Sequence, residues 1–273
     1  MKEKKRRNSI LVRPTPLINL EKKYVILWSA KSGCTFVLKW FYMQNDIKYS
    51  RREGNYTGWH DHRIRSFYKS DDYKNAIKAY TKDSTEFKHI KIVRNPFERT
   101  ASAYLHLLKK AHQNHPMAKD YLGVDDIPSD FNMSFEEFLN VLSTKNVRIG
   151  NAHWRSQTHH LERAKNVKLH KVINLNNSFR EFRELELELG LKKSSKSKFD
   201  KLRKNRHHSK KSSEISTAEH KPISGFVGNI SFNHELALKR PEYKDFYNEK
   251  LENIVFDIYQ EDFKRYKFNP KYL

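Results

Sequence analysis

The feature that most constrains the fold is the stretch Tyr24 to Thr35, Tyr-Val-Ile-Leu-Trp-Ser-Ala-Lys-Ser-Gly-Cys-Thr, where an apolar run gives way to a turn of small residues carrying one lysine. The run Tyr24 to Trp28, apolar or aromatic throughout with a β-branched pair inside it, suits a strand buried in a parallel sheet. From Phe36 the apolar positions Val37, Trp40 and Phe41 recur at helical spacing, so a helix begins as the turn ends. Strand, turn and helix in that order aim unpaired backbone N–H groups and the positive end of a helix dipole at whatever lies beyond the turn. With Gly33 permitting close backbone approach and Lys31 adding charge, this is the physical recipe for an anion site. The same residues also fit an ordinary surface connection in which Lys31 is merely solvated.

The order of residues in the turn narrows the chemistry. A nucleotide-hydrolysing loop ends in Gly-Lys-Ser/Thr after an earlier glycine, whereas here Lys31 precedes Gly33. ATP or GTP turnover fits that order poorly, and no acidic partner for a magnesium ion is evident nearby.

A second motif lies about sixty residues on. Lys88 to Arg94 alternates as a strand, and Asn95-Pro96 turns the chain into a helix with proline at an early helical position. In that helix Phe97, Ala101, Tyr104, Leu105 and Leu108 form an apolar face, leaving Ser102 beside it. Arg94 therefore sits at a strand's carboxyl end with one hydroxyl following on the helix, a pair suited to a terminal phosphate: guanidinium binds phosphate oxygens in a fork and serine adds a neutral donor. Arg94 in a structural ion pair is the competing reading.

Together the two motifs resemble those of sulfotransferases that use 3′-phosphoadenosine-5′-phosphosulfate (PAPS), in particular the carbohydrate sulfotransferases of sulfotransferase family 2 and their bacterial relatives. Lys-Ser-Gly-Cys-Thr resembles the 5′-phosphosulfate loop, and Val93-Arg94-Asn95-Pro96-Phe97-Glu98-Arg99-Thr100-Ala101-Ser102-Ala103-Tyr104 the 3′-phosphate motif. The likeness extends to the end of the chain through Phe246-Tyr247 and Ile258 to Phe263. It implies a P-loop-like, three-layer α/β fold with a central, mostly parallel sheet flanked by helices. It implies PAPS as donor and the bisphosphate PAP as product, with Lys31, Ser32, Gly33, Cys34 and Thr35 around the 5′-phosphosulfate, Arg94 and Ser102 on the 3′-phosphate, and no metal. Lys31 would neutralise charge on the leaving oxygen. A base must also take the acceptor hydroxyl's proton, and imidazole suits that task near neutral pH. By analogy with relatives that use a histidine after the first helix, the order of candidates is His62, His60, then Glu53. Two departures stand out: Ala30 replaces a common proline, and the membrane anchor and disulfides of Golgi members have no counterpart.

The remaining sequence sets the surroundings. Lys and Arg number 54 against 32 Asp and Glu, a net charge of +22, which favours a polyanionic partner. An acidic glycan is the expected acceptor; a non-carbohydrate hydroxyl, or a nucleic-acid-binding role in place of catalysis, are the alternatives. Cys34 as the one cysteine excludes an internal disulfide framework. No apolar stretch has the length of a signal peptide or membrane span, so a cytoplasmic location is expected, with peripheral membrane contact open to the basic N-terminus. The expected organisation is a basic tail and lead-in at 1–22 and one domain at 23–273. Within that domain Asp46 to Ser50 reads as a short strand, Arg51 to Tyr68 as a polar loop, and Ser134 to Leu142 as a helix with a Ser134/Glu137 capping box. In the loop at 151–157, Trp154 is expected to pack and His153 to make a structural hydrogen bond. Leu169 to Leu175 reads as a strand and Phe179 to Leu189 as a helix stopped by Gly190. A basic loop follows at 192–224, densest at 192–211. The last helix presents Leu251, Ile254, Val255, Ile258 and Tyr259 on one face, expected to pack on the sheet.

Overall fold

The computed structural model describes residues 14–163, 167–203, 225–234 and 241–272. The strands are β1 Leu17–Asn19, β2 Tyr24–Leu27, β3 Lys88–Val93, β4 Met133–Ser134, β5 Leu169–Asn174 and β6 Ser231–Phe232. The helices are α1 Cys34–Gln44, α2 Trp59–Arg65, α3 Asp71–Lys82, α4 Pro96–His112, α5 Pro116–Leu122, α6 Phe135–Ser143, α7 His160–Arg163, α8 Ser178–Glu188, α9 Lys196–Arg203, α10 Glu249–Ile258 and α11 Gln260–Tyr266. They fall into two compact units: residues up to 93 with 159–203, and residues 94–158 with 225–272.

The first unit is built on a sheet of order β1-β2-β3-β5, in which β1 runs antiparallel and the other three run parallel. This is the mostly parallel α/β architecture that the sequence implies. Tyr24, Val25, Ile26 and Leu27 are wholly buried, as an apolar run in the interior of a sheet should be. Because β2 has β1 on one side and β3 on the other, no sheet position remains beside it for a strand at 46–50. The chain there instead closes α1: Asp46 takes a left-handed φ of 50° and the Ile47 N–H returns to the Tyr42 carbonyl at 2.9 Å. The expected polar loop at 51–68 also differs, since it contains α2 and a 3₁₀ turn at Phe67–Lys69.

The described part of the basic segment is likewise ordered. Lys196–Arg203 is α9, because Phe199 among the lysines is completely buried against Phe36, Phe179 and Phe182. The residues from 204 to 224, like 1–13 of the basic tail and lead-in, lie outside the described residues.

The second unit is mainly helical, with one short antiparallel ladder between β4 and β6. Its core gathers Phe97, Tyr104, Phe135, Phe138, Phe246 and Tyr247. The capping box forms as read: the Ser134 hydroxyl accepts from the Glu137 N–H and the Glu137 carboxylate accepts from the Ser134 N–H. Trp154 is buried, and His153 hydrogen-bonds Asn151 Oδ1 at 2.7 Å through Nδ1. Helix α10 buries Leu251 and Val255 against α6 and α4 of its own unit.

Candidate functional site

In the first unit β2 ends at Leu27, and Trp28 to Gly33 form the turn that starts α1. Two residues of this turn are left-handed, Lys31 at φ 66° and Gly33 at φ 71°. For lysine that conformation is sterically costly, and such strain concentrates at functional turns. Gly33 is the N-cap of α1, no side chain caps the helix, and its first turn contains no acidic residue. The first-turn N–H groups thus lack an intrahelical acceptor and a competing carboxylate. Gly33 also faces a tight neighbour: a Cβ there would lie 2.6 Å from Leu175 Cδ1, next after β5.

Ser32 is tied into the turn itself. It is completely buried, its N–H reaches the Ser29 carbonyl at 3.3 Å and its Oγ meets Ser29 Oγ at 3.1 Å. These contacts fasten the turn, while Gly33, Cys34 and Thr35 are only partly buried.

The two candidate histidines separate because residues 59–65 are helical. Positions two apart on a helix point about 200° from each other. His60 faces the turn: Nε2 lies 3.0 Å from Thr35 Oγ1 and 3.5 Å from Cys34 Sγ, and its ring stacks on Trp28. His62 faces inward, only 6% exposed, with Nδ1 on the Tyr42 hydroxyl at 3.0 Å and Tyr49 and Tyr56 against its ring. Burial holds its pKa below the ordinary imidazole value, with Asp61 opposing. The structure therefore places His60, and not His62, beside the turn. Glu53 stands on an exposed turn, its N–H on Ser50 Oγ.

Cys34, at the first helical position, reports the local electrostatics. Burial raises its pKa, but the hydrogen bond and charge of His60, with Lys31 and Arg63, outweigh that and lower it from 9.0 to about 7.

Arg94 opens the second unit, held at both backbone polar groups by Gln157: its N–H donates to Oε1 at 2.9 Å and its carbonyl accepts from Nε2 at 2.8 Å. Gln157 is fixed in turn by Asp262, wholly buried, which accepts the Gln157 N–H at 2.7 Å. Asn95 caps α4 by accepting the Phe97 N–H, and Pro96 follows at the first helical position. The Arg94 guanidinium bonds Glu98 at 3.1 Å and lies over the Tyr243 ring. The ion pair is thus present. Glu98 and Ser102 are four apart on α4, so Arg94, Glu98 and the half-buried Ser102 line one stripe of that helix.

No sequence pattern singles out Arg63, on the His60 face of α2, or Trp28 as the ring beneath both. Glu98 was detectable from its spacing to Arg94. Among the described residues no group of three His, Cys, Asp or Glu is placed to hold a metal ion, and no helix is long and apolar enough to cross a membrane.

A mostly parallel α/β sheet whose first parallel strand leads through a lysine-bearing turn into a helix N-terminus without a side-chain cap has the geometry that α/β proteins use to bind anions. The chain matches the sulfotransferase family model over residues 17–269 and belongs to that family, making it a sulfuryl-transferring enzyme. No curated protein and no solved structure matches it.

Proposed function

We propose that the protein transfers a sulfuryl group from PAPS to a hydroxyl of an acidic carbohydrate. The observation that carries this reading is the uncapped N-terminus of α1 with His60 beside it: an oxyanion receptor and a proton acceptor at one turn. Each unit offers groups whose chemistry suits one end of the donor. The N–H groups of Gly33, Cys34 and Thr35 and the Lys31 ammonium suit the 5′-phosphosulfate, and Arg94 with Ser102 the 3′-phosphate that distinguishes PAPS from ADP-like nucleotides. PAPS supplies the activated sulfuryl group.

The chain's own tasks are alignment and charge neutralisation, as in phosphoryl transfer. Lys31, held left-handed, stabilises negative charge growing on the phosphate oxygen. The dipole of α1 acts in the same sense. His60 Nε2 accepts the acceptor hydroxyl's proton; the Thr35 hydroxyl, 3.0 Å away, orients the ring until acceptor arrives. Binding energy from Arg94 and Ser102, remote from the reacting sulfur, holds the donor in register. The net charge of +22 supports an acidic acceptor.

Transfer of labelled sulfate from PAPS to a panel of acidic oligosaccharides tests the reading. The wild type labels at least one acceptor, Lys31→Ala none, and His60→Gln loses about 10²- to 10⁴-fold in kcat while binding PAP normally. Full turnover by Lys31→Ala would remove that residue from the mechanism, and full turnover by His60→Gln would return the base assignment to His62 or Glu53.

A further inference from the structure

Arg63 is the charged group that the roles above leave unused. It is 9% exposed, and its Nε is enclosed with no hydrogen-bond partner. Among the described residues no carboxylate, carbonyl or hydroxyl pairs with its guanidinium. Its neighbours are rings: the guanidinium carbon lies 4.4 Å from the centre of Trp28 and 5.5 Å from that of Tyr68. Both rings are pinned by donating to the Thr15 carbonyl, Trp28 Nε1 at 2.9 Å and the Tyr68 hydroxyl at 2.6 Å.

Stacking on aromatic faces returns part of what burial of the charge costs, but it satisfies none of the five N–H donors. A buried cation without an acceptor is expensive and is ordinarily neutralised by the protein's own carboxylates. Among the described residues none of them pairs with it. The position is also pointed. Arg63 is three residues after His60 on α2, so both share one helix face, and both lie on Trp28, the residue that leads into the Lys31 turn. The side chain is largely buried and held against two rings, with Nε enclosed, a pre-organised state in which a bidentate contact to a planar or tetrahedral oxyanion forms with little loss.

We propose that Arg63 receives an oxyanion from a substrate, beside His60 at the start of α1, and is a binding residue of the transfer reaction. This rests on the reading of the Lys31 turn as the donor site. The oxyanion has two sources, the donor's phosphosulfate oxygens or an acid group of the acceptor sugar near the hydroxyl that His60 serves.

The test compares full-length wild type with Arg63→Met, which keeps the packing and removes the charge, and Arg63→Lys, which keeps the charge and removes the fork. Thermal unfolding without ligand, calorimetric binding of PAP and PAPS, and acceptor KM are measured for each. Arg63→Met is expected to unfold at or above the wild-type temperature and to lose about tenfold or more in one binding step, as loss of a charge-assisted contact does. PAP and PAPS weakened alike assigns the phosphate; PAPS alone, the sulfuryl oxygens; acceptor KM alone, the sugar's acid group. Arg63→Lys falls between in the same step. An Arg63→Met protein that binds all three as the wild type does overturns the proposal and leaves Arg63 a stacking residue. Should wild type bind no PAP, the donor reading fails separately. Sodium sulfate against sodium chloride at equal ionic strength then serves as probe. A sulfate-specific thermal shift kept in Lys31→Ala and lost in Arg63→Met sustains the Arg63 site, and one kept in Arg63→Met rejects it.

Discussion

Gly33→Ala separates the two demands that the turn makes on its glycine. One is conformational: a Cβ in the left-handed region costs about 1–2 kcal/mol, offset by the lower unfolded-state entropy of alanine, about 0.4–1 kcal/mol, for a net near 1 kcal/mol. The other is steric: the new Cβ would lie 2.6 Å from Leu175 Cδ1 and 3.1 Å from Cδ2, so Leu175 must leave its rotamer, at roughly another 1 kcal/mol. Gly190, in the same unit at φ 60° with nothing within 4 Å of its added Cβ, isolates the first term. Urea unfolding followed by far-UV circular dichroism should therefore show Gly190→Ala destabilised by about 1 kcal/mol and Gly33→Ala by about 2 kcal/mol. In a Leu175→Ala background the cost of Gly33→Ala should fall back to about 1 kcal/mol, a coupling of about 1 kcal/mol between residues in contact. PAP affinity should fall with Gly33→Ala and not with Gly190→Ala. Equal costs for the two glycines, or no relief from Leu175→Ala, would refute the assignment of a close approach between the turn and the end of β5.

Two further outcomes follow from other parts of the first unit. Alkylation of Cys34 by iodoacetamide should rise with pH through a midpoint near 7, because the thiolate reacts and its pKa is lowered to about 7; His60→Gln should move the midpoint toward 9.0, and PAP should slow the reaction. Lys91, on β3, and Glu162 form an ion pair at 3.0 Å with both side chains fully buried, so Lys91→Met alone should cost about 3–5 kcal/mol in urea unfolding, whereas Lys91→Met with Glu162→Leu should recover most of it.

Much of this was legible where local chemistry decides the outcome. The run at 24–27 becomes a buried strand, Gly33 and Gly190 take the left-handed conformations that stop and start helices, and the Ser134/Glu137 box closes as its spacing implies. The rest depends on which neighbours the fold supplies. In α2 the buried members are His62 and Arg63 while Ile64 is 40% exposed, the reverse of what hydropathy suggests, so no apolar period betrays the helix. The same inversion hides Lys91, which reads as the polar face of a strand and is buried only because Glu162 comes from α7 to meet it. In α9 a single aromatic, Phe199, secures a segment whose charge resembles a solvated loop. That residues 60 and 62 share a helix, which sends their side chains to opposite sides, was likewise hidden.

The most direct measurement of the central claim is calorimetric titration of PAP, and of adenosine 5′-phosphosulfate lacking the 3′-phosphate, into wild type and Arg94→Ala. PAP should bind the wild type at micromolar strength and weaken by about 10- to 100-fold in Arg94→Ala, the worth of charged contacts to one phosphate. The ligand without that phosphate should bind both proteins alike. Failure of the wild type to bind PAP, or binding of PAP that ignores Arg94→Ala, would contradict the assignment of this chain as a PAPS-dependent sulfotransferase.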